Sequence, residues 1–208
     1  MNSSELAALS PVIPVVVVDD AATAAPLAEA LLAGGIRTIE LTLRTPAGLD
    51  AIAAVARDVP EMVVGAGTVL TPAQATAATE AGAQFLVTPG TTPALLDAAL
   101  ATGLPVLPGV ATVSEALAAA ERGIQVLKFF PAEANGGRPV LKAWAGPLAE
   151  LRFCPTGGIT PQNAADYLAL GNVVCVGGSW LTPKELIRAG DWAAIESLAR
   201  EATALPRA

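Results

Sequence analysis

The stretch TIELTLRTPAGLDAIAAVARDVPEMVVGAG, residues 38–67, contains a complete strand–helix–strand unit. TIELTL, from Thr38, alternates polar and apolar side chains and is rich in β-branched residues. GLDAIAAVARDVP is an amphipathic, alanine-rich helical segment, and MVVGAG, from Met62, is a second β-rich run. A connection long enough to hold a helix carries the chain back to the start of the sheet, so the two strands run parallel.

The same unit recurs in both directions. Upstream lie VIPVVVV (from Val12) and PLAEALLAGG. Downstream come FLVTPG (from Phe85), PVLPGV (from Pro105), VLKFFP (from Val126), RFCPTGG (from Arg152) and VVCVGGS (from Val173), with PAQATAATEAG, PALLDAALATG and VSEALAAAERG among the helical segments between them. Most of these segments end in Gly, which suits a helix C-terminus, and several begin at Thr-Pro, a good N-cap and N1 pair. Eight such repeats of roughly 20 to 26 residues predict an α/β chain folded as a small (β/α)8 TIM barrel. SELAAL forms a short N-terminal helix that plugs the closed end. A doubly wound open sheet is the alternative. Against it, no GxGxxG opens the first βα turn, and polar residues recur at the C-terminal strand ends, where a barrel gathers its active site. With no break in composition, residues 1–208 read as a single domain.

Composition narrows the function. The net charge is −7 with only 12 Lys+Arg and no basic cluster, which argues against nucleic acid or an anionic membrane as partner. The apolar fraction is 53%, yet no apolar run approaches the roughly 20 residues of a membrane-spanning helix. The start, MNSSELAALS, lacks the features of a secretory signal, and a cytoplasmic location is expected. Cys154 and Cys175 sit in apolar runs without CxxC spacing and read as core residues. The chain contains no histidine. That removes Ser-His-Asp and Cys-His catalysis and the usual ligands of catalytic zinc, so no metal and no cofactor are expected.

Three lysines remain, Lys128, Lys142 and Lys184. Lys142 lies in a helical segment and Lys184 follows a helix-starting Thr-Pro, so both read as solvated. Lys128 lies within a strand, on one face with Val126 and Phe130, while Leu127 and Phe129 share the other. If its face points inward, the apolar interior disfavours the ammonium, and a neutral amine is what Schiff-base formation requires. In TIELTLRTP, Glu40, Thr42 and Arg44 share a face. Glu40 suits an acid/base partner of Lys128, and Arg44 suits a carboxylate fork. A structural reading stays open beside this one, with these charges simply pairing as buried ions. Thr68, after the glycines of GAGTVL, is a weaker candidate. PTGGIT and VGGSW close the seventh and eighth runs, where Gly157, Gly158, Gly178 and Ser179 could cradle a phosphate. Together these residues suggest a lysine Schiff-base aldolase acting on a phosphorylated 2-keto acid.

The runs ELTLRT, GAGTVL, KFFPAEANGG, FCPTGGI and GGSWL resemble the 2-keto-3-deoxy-6-phosphogluconate (KDPG) aldolase family through nearly the whole chain. The resemblance implies a class I aldolase on a (β/α)8 barrel, commonly trimeric, that releases pyruvate and often also cleaves 4-hydroxy-2-oxoglutarate. It implies Lys128 as the Schiff-base lysine and Glu40 as the general acid/base. Arg44 and Thr68 would hold the pyruvoyl carboxylate, Pro89 and Phe130 would wall the reacting carbons, and Thr156, Gly157, Gly158, Gly178 and Ser179 would receive the distal phosphate. An aldolase for the epimeric phosphogalactonate substrate, or a non-catalytic trimeric scaffold on the same barrel, remain alternatives. Asp19 and Asp20 receive no role.

Overall fold

The computed structural model describes residues 1–206. Strands β1 (Val12–Val16), β2 (Thr38–Thr42), β3 (Val63–Gly67), β4 (Leu86–Val87) and β5 (Val106–Leu107) alternate with helices α2 (Ala24–Ala33), α3 (Gly48–Asp58), α4 (Pro72–Glu80) and α5 (Pro93–Ala101). The chain continues through β6 (Gly109–Val110), α6 (Val113–Ala120), β7 (Val126–Phe129), α7 (Gly137–Trp144), β8 (Arg152–Pro155), α8 (Pro161–Leu168) and β9 (Val176–Gly178). It ends in α9 (Lys184–Ala189) and α10 (Trp192–Thr203), and α1 (Ser3–Ala8) precedes β1. No helix among the described residues is long and apolar enough to cross a membrane.

The expected helix signals operate as read. Thr71 and Thr92 each precede a proline and accept the amide three residues on, at 3.2 and 3.3 Å, which satisfies a first-turn donor. Thr112 adds a reciprocal capping box with Glu115.

The closed eight-stranded barrel expected from the sequence is not what forms. The strands make a six-stranded parallel half-barrel sheet, in the order β5-β4-β3-β2-β1-β9, and a separate three-stranded sheet, β6-β7-β8. PVLPGV, read as one strand, is the first reason. Pro108 has no N–H to donate, and the run splits into β5, which joins the larger sheet, and β6, which joins the smaller. At the other junction only the isolated bridges Phe153↔Val173 and Thr156↔Gly177 link the edges. Pro155 ends β8 there and likewise has no N–H to donate.

Both sheets nevertheless contribute to one inner cluster. Ile13, Phe85, Val87, Leu107, Val126, Cys154 and Cys175 pack with Leu6 and Ala7 of α1, so the N-terminal helix does plug one end. The larger, outer cluster lies between strands and helices, and Leu127 and Phe129 belong to it. Phe129 and Phe153 both pack on Trp144 of α7, with ring centroids 5.3 and 5.5 Å apart.

The C-terminal helix α10 closes against the end of α2. A methyl group on Gly34 would fall 2.4 Å from the Ala199 Cβ and 2.7 Å from the Glu196 carbonyl oxygen. Gly34→Ala should therefore lower stability by about 1–3 kcal/mol, read as a lower urea midpoint at unchanged m-value. An unchanged midpoint would show that the α2–α10 contact can relax freely.

Candidate active site

Strand register brings together the two charges that the sequence separates by 88 positions. Glu40 lies level with Val15 of β1 and Gly65 of β3. Lys128 lies level with Gly109 of β6 and Cys154 of β8. The Lys128 Nζ donates to Glu40 Oε1 at 3.2 Å, with both side chains almost wholly buried. The ammonium also lies 5.3 Å from the centre of the Phe130 ring.

The surrounding small residues make this geometry possible. A Cβ on Gly67 would sit 2.1 Å from Glu40 Oε1, so only glycine leaves room for the carboxylate. One residue later, Thr68 has φ +56°, and among the described residues it is the one non-glycine in the left-handed region. A β-branched residue held there is strained, and strain of this kind concentrates at functional sites.

The sequence placed Arg44 on the inward face of β2. The strand instead ends at Thr42, whose hydroxyl donates to the Val16 carbonyl at 2.9 Å. Arg44 stands in the following turn, exposed, with no hydrogen bond or ion pair among the described residues. The pairing of Arg44 with Glu40, one of the structural readings left open, does not occur; the Glu40–Lys128 pairing does.

Phe130, whose ring lies near the Lys128 ammonium, also lines a cavity of about 430 Å³. Arg44, Phe130, Thr156, Gly157, Gly158, Gly178 and Ser179 all line it, so seven expected residues converge on one mouth. Gly157 and Gly158 have φ +99° and +78°, and their amides donate to no protein acceptor among the described residues. Those two donors are available to an anion. The other four expected residues, Lys128, Glu40, Thr68 and Pro89, lie outside this lining. The Pro89 carbonyl packs within 2.3 Å of where a Gly109 Cβ would be, beside the strand that neighbours Lys128.

Two further features lay outside the sequence reading. The turn after Phe130 is stitched to the glycine loop by amides of Ala132 to Thr156 O, at 2.8 Å, and of Glu133 to Gly157 O, at 3.1 Å. The Tyr167 hydroxyl donates to the Glu133 carboxylate. Burial, and then that hydrogen bond, hold the phenol well above its ordinary pKa. Lys184, read as a solvated surface residue, is exposed but lines the same cavity. Its position five residues after Ser179, in GGSWLTPK, was the available signal.

Comparisons with known proteins identify the family. A family described as "KDPG and KHG aldolase" matches residues 4–198. The KHG/KDPG aldolase of Escherichia coli K12 is 53% identical over 201 residues, covering 97% of this chain and 94% of its own. The 2-dehydro-3-deoxy-phosphogluconate aldolase of Dickeya dadantii is 50% identical, covering 98% and 95%. A crystal structure of KDPG aldolase from Legionella pneumophila, with pyruvate captured at low pH as a covalent carbinolamine intermediate, superposes with a TM-score of 0.96. It is 45% identical and covers 98% of this chain and 99% of its own. The molecule is a class I aldolase. The chain belongs to the KDPG and KHG aldolase family.

Because the ion pair is buried, removing one partner leaves the other charge uncompensated. Lys128→Met should cost about 3–5 kcal/mol, and adding Glu40→Gln should recover part of that loss. Urea denaturation of the two variants tests this, and a double variant no more stable than Lys128→Met would contradict the coupling.

Proposed function

We propose that this aldolase reversibly cleaves KDPG to pyruvate and D-glyceraldehyde 3-phosphate, and that it also cleaves 4-hydroxy-2-oxoglutarate to pyruvate and glyoxylate. The observation that carries the reading is the buried Lys128–Glu40 contact at 3.2 Å, with Phe130 reaching from the ammonium to a cavity whose Gly157 and Gly158 amides have no protein acceptor among the described residues. The identities near 50% to relatives named for these substrates support it.

In this reading Glu40 takes a proton from the Lys128 ammonium, and the neutral amine attacks the substrate C2 carbonyl to form a carbinolamine. Glu40 returns that proton to the departing hydroxyl, so loss of water gives an iminium and restores the carboxylate. Glu40 then accepts the C4 hydroxyl proton, directly or through one water, as the C3–C4 bond breaks. The electrons of that bond flow toward the iminium nitrogen and leave an enamine, while the C4 fragment departs as the aldehyde. Glu40 returns a proton to C3, and hydrolysis frees pyruvate and Lys128. Arg44, without a protein partner among the described residues, binds the substrate carboxylate, and Thr68 assists it. Pro89 and Phe130 wall the reacting carbons. Thr156, Gly157, Gly158, Gly178 and Ser179 receive the phosphate.

The assembly we propose is a homotrimer. Leu70, Val113 and Leu117 are large apolar side chains left exposed on the single chain, which suits burial between copies.

Incubation with pyruvate and borohydride should add one reduced pyruvate to the wild-type mass and none to Lys128→Ala; an adduct persisting in that variant would overturn the assignment. Gly67→Ala keeps both charged groups but displaces the Glu40 carboxylate. It should lower kcat by about a hundredfold, the scale of losing a positioned acid/base, while the protein remains folded by circular dichroism. Full activity in Gly67→Ala would mean that the carboxylate position is not critical.

A further inference from the structure

The phosphorylated substrate proposed above carries a carboxylate and a phosphate, yet the chain has net charge −7. The cavity answers this locally. Its charged lining residues are Arg44 and Lys184, two cations, with no carboxylate among them. Arg44 follows β2, whereas Lys184 follows the Gly178–Ser179 loop by five residues and stands at the phosphate end.

Lys184 is held loosely. Its Nζ lies 3.9 Å from Asp19 Oδ1, beyond hydrogen-bond distance, with the lysine side chain 52% exposed. Asp19 has a better partner, since Arg188 donates to its Oδ2 at 2.8 Å. Arg188 and then the Lys184 charge keep the Asp19 carboxyl below its ordinary pKa. Lys184 can therefore leave Asp19 without stranding an unpaired carboxylate, and only its four-carbon stem must turn. Asp19, at the end of the run that opens the chain, thereby gains a role that its position in the sequence did not suggest.

We propose that Lys184 is a specificity-determining residue that exchanges its loose contact with Asp19 for the phosphate of the incoming substrate, favouring phosphorylated over unphosphorylated 2-keto acids. The inference rests on the phosphate-cradle reading of the glycine loops. It goes beyond that reading by adding a mobile cation to a cradle otherwise made of neutral donors.

The test is the ratio of kcat/KM for KDPG to kcat/KM for 4-hydroxy-2-oxoglutarate. Lys184→Gln should lower this ratio about five- to tenfold, mainly through KM for KDPG, and should flatten the dependence of that KM on KCl. Lys184→Arg should restore most of the ratio. Asp19→Asn, which removes the competing carboxylate, should raise it. An unchanged ratio in Lys184→Gln, or an equal loss on both substrates, would overturn the proposal. Ser179→Ala separates the two levels. If Ser179→Ala lowers the ratio while Lys184→Gln does not, the cradle stands and the lysine role fails. If neither variant moves it, the cradle reading fails as well, and the lysine role with it.

Discussion

A lysine ammonium and a glutamate carboxylate, both almost wholly buried and 3.2 Å apart, are the constraint on which the site depends. Each would be costly to bury alone, because neither keeps its hydration shell and the apolar surroundings return little. Bringing them together requires β2 and β7 to present their charges at matching depth from two different sheets. Gly67 leaves the carboxylate its volume, and Phe130 faces the ammonium. A side chain larger than hydrogen at Gly67, or a slip of one residue in either strand, would move a charge into carbon or out of reach.

The pair also explains the division of polarity along the molecule. Below it the inner cluster is apolar and sealed by Leu6 and Ala7 of α1. At the cavity, Gly157 and Gly158 have positive φ, and their amides donate to no protein acceptor among the described residues. The turn that carries Phe130 is hydrogen-bonded to the glycine loop, so the reacting end and the distal end of the cavity are held as one unit. A substrate with a keto group near one end and an anion at the other matches that spacing of functions.

Much of this was legible because local rules act on short stretches. The Thr-Pro caps and the alternation that puts Lys128 and Val126 on one face and Leu127 and Phe129 on the other need only neighbours along the chain. The sheet closure did not follow, because it depends on whether particular edges exchange hydrogen bonds. Pro108 breaks a run that looks continuous by hydropathy, and the β8–β9 junction holds only isolated bridges. Period-two reasoning has no signal for where a strand stops, and β2 ends at Thr42, two residues before Arg44. The Asp19–Arg188 contact spans 169 positions and leaves no trace in composition.

By itself the sequence determined the inventory and its local geometry: three lysines with one in a strand, no histidine, a glutamate and an arginine around β2, and two glycine pairs at strand ends. Those properties are set by side-chain chemistry and by backbone preferences over a few residues. Only the tertiary structure decided which charges meet. It paired Glu40 with Lys128 rather than Arg44, left Arg44 on the cavity lining without a partner among the described residues, and brought Lys184 from an apparent surface helix to the same cavity. Contacts between distant strands depend on register and on the way the two sheets curve around one core, and both are properties of the whole chain.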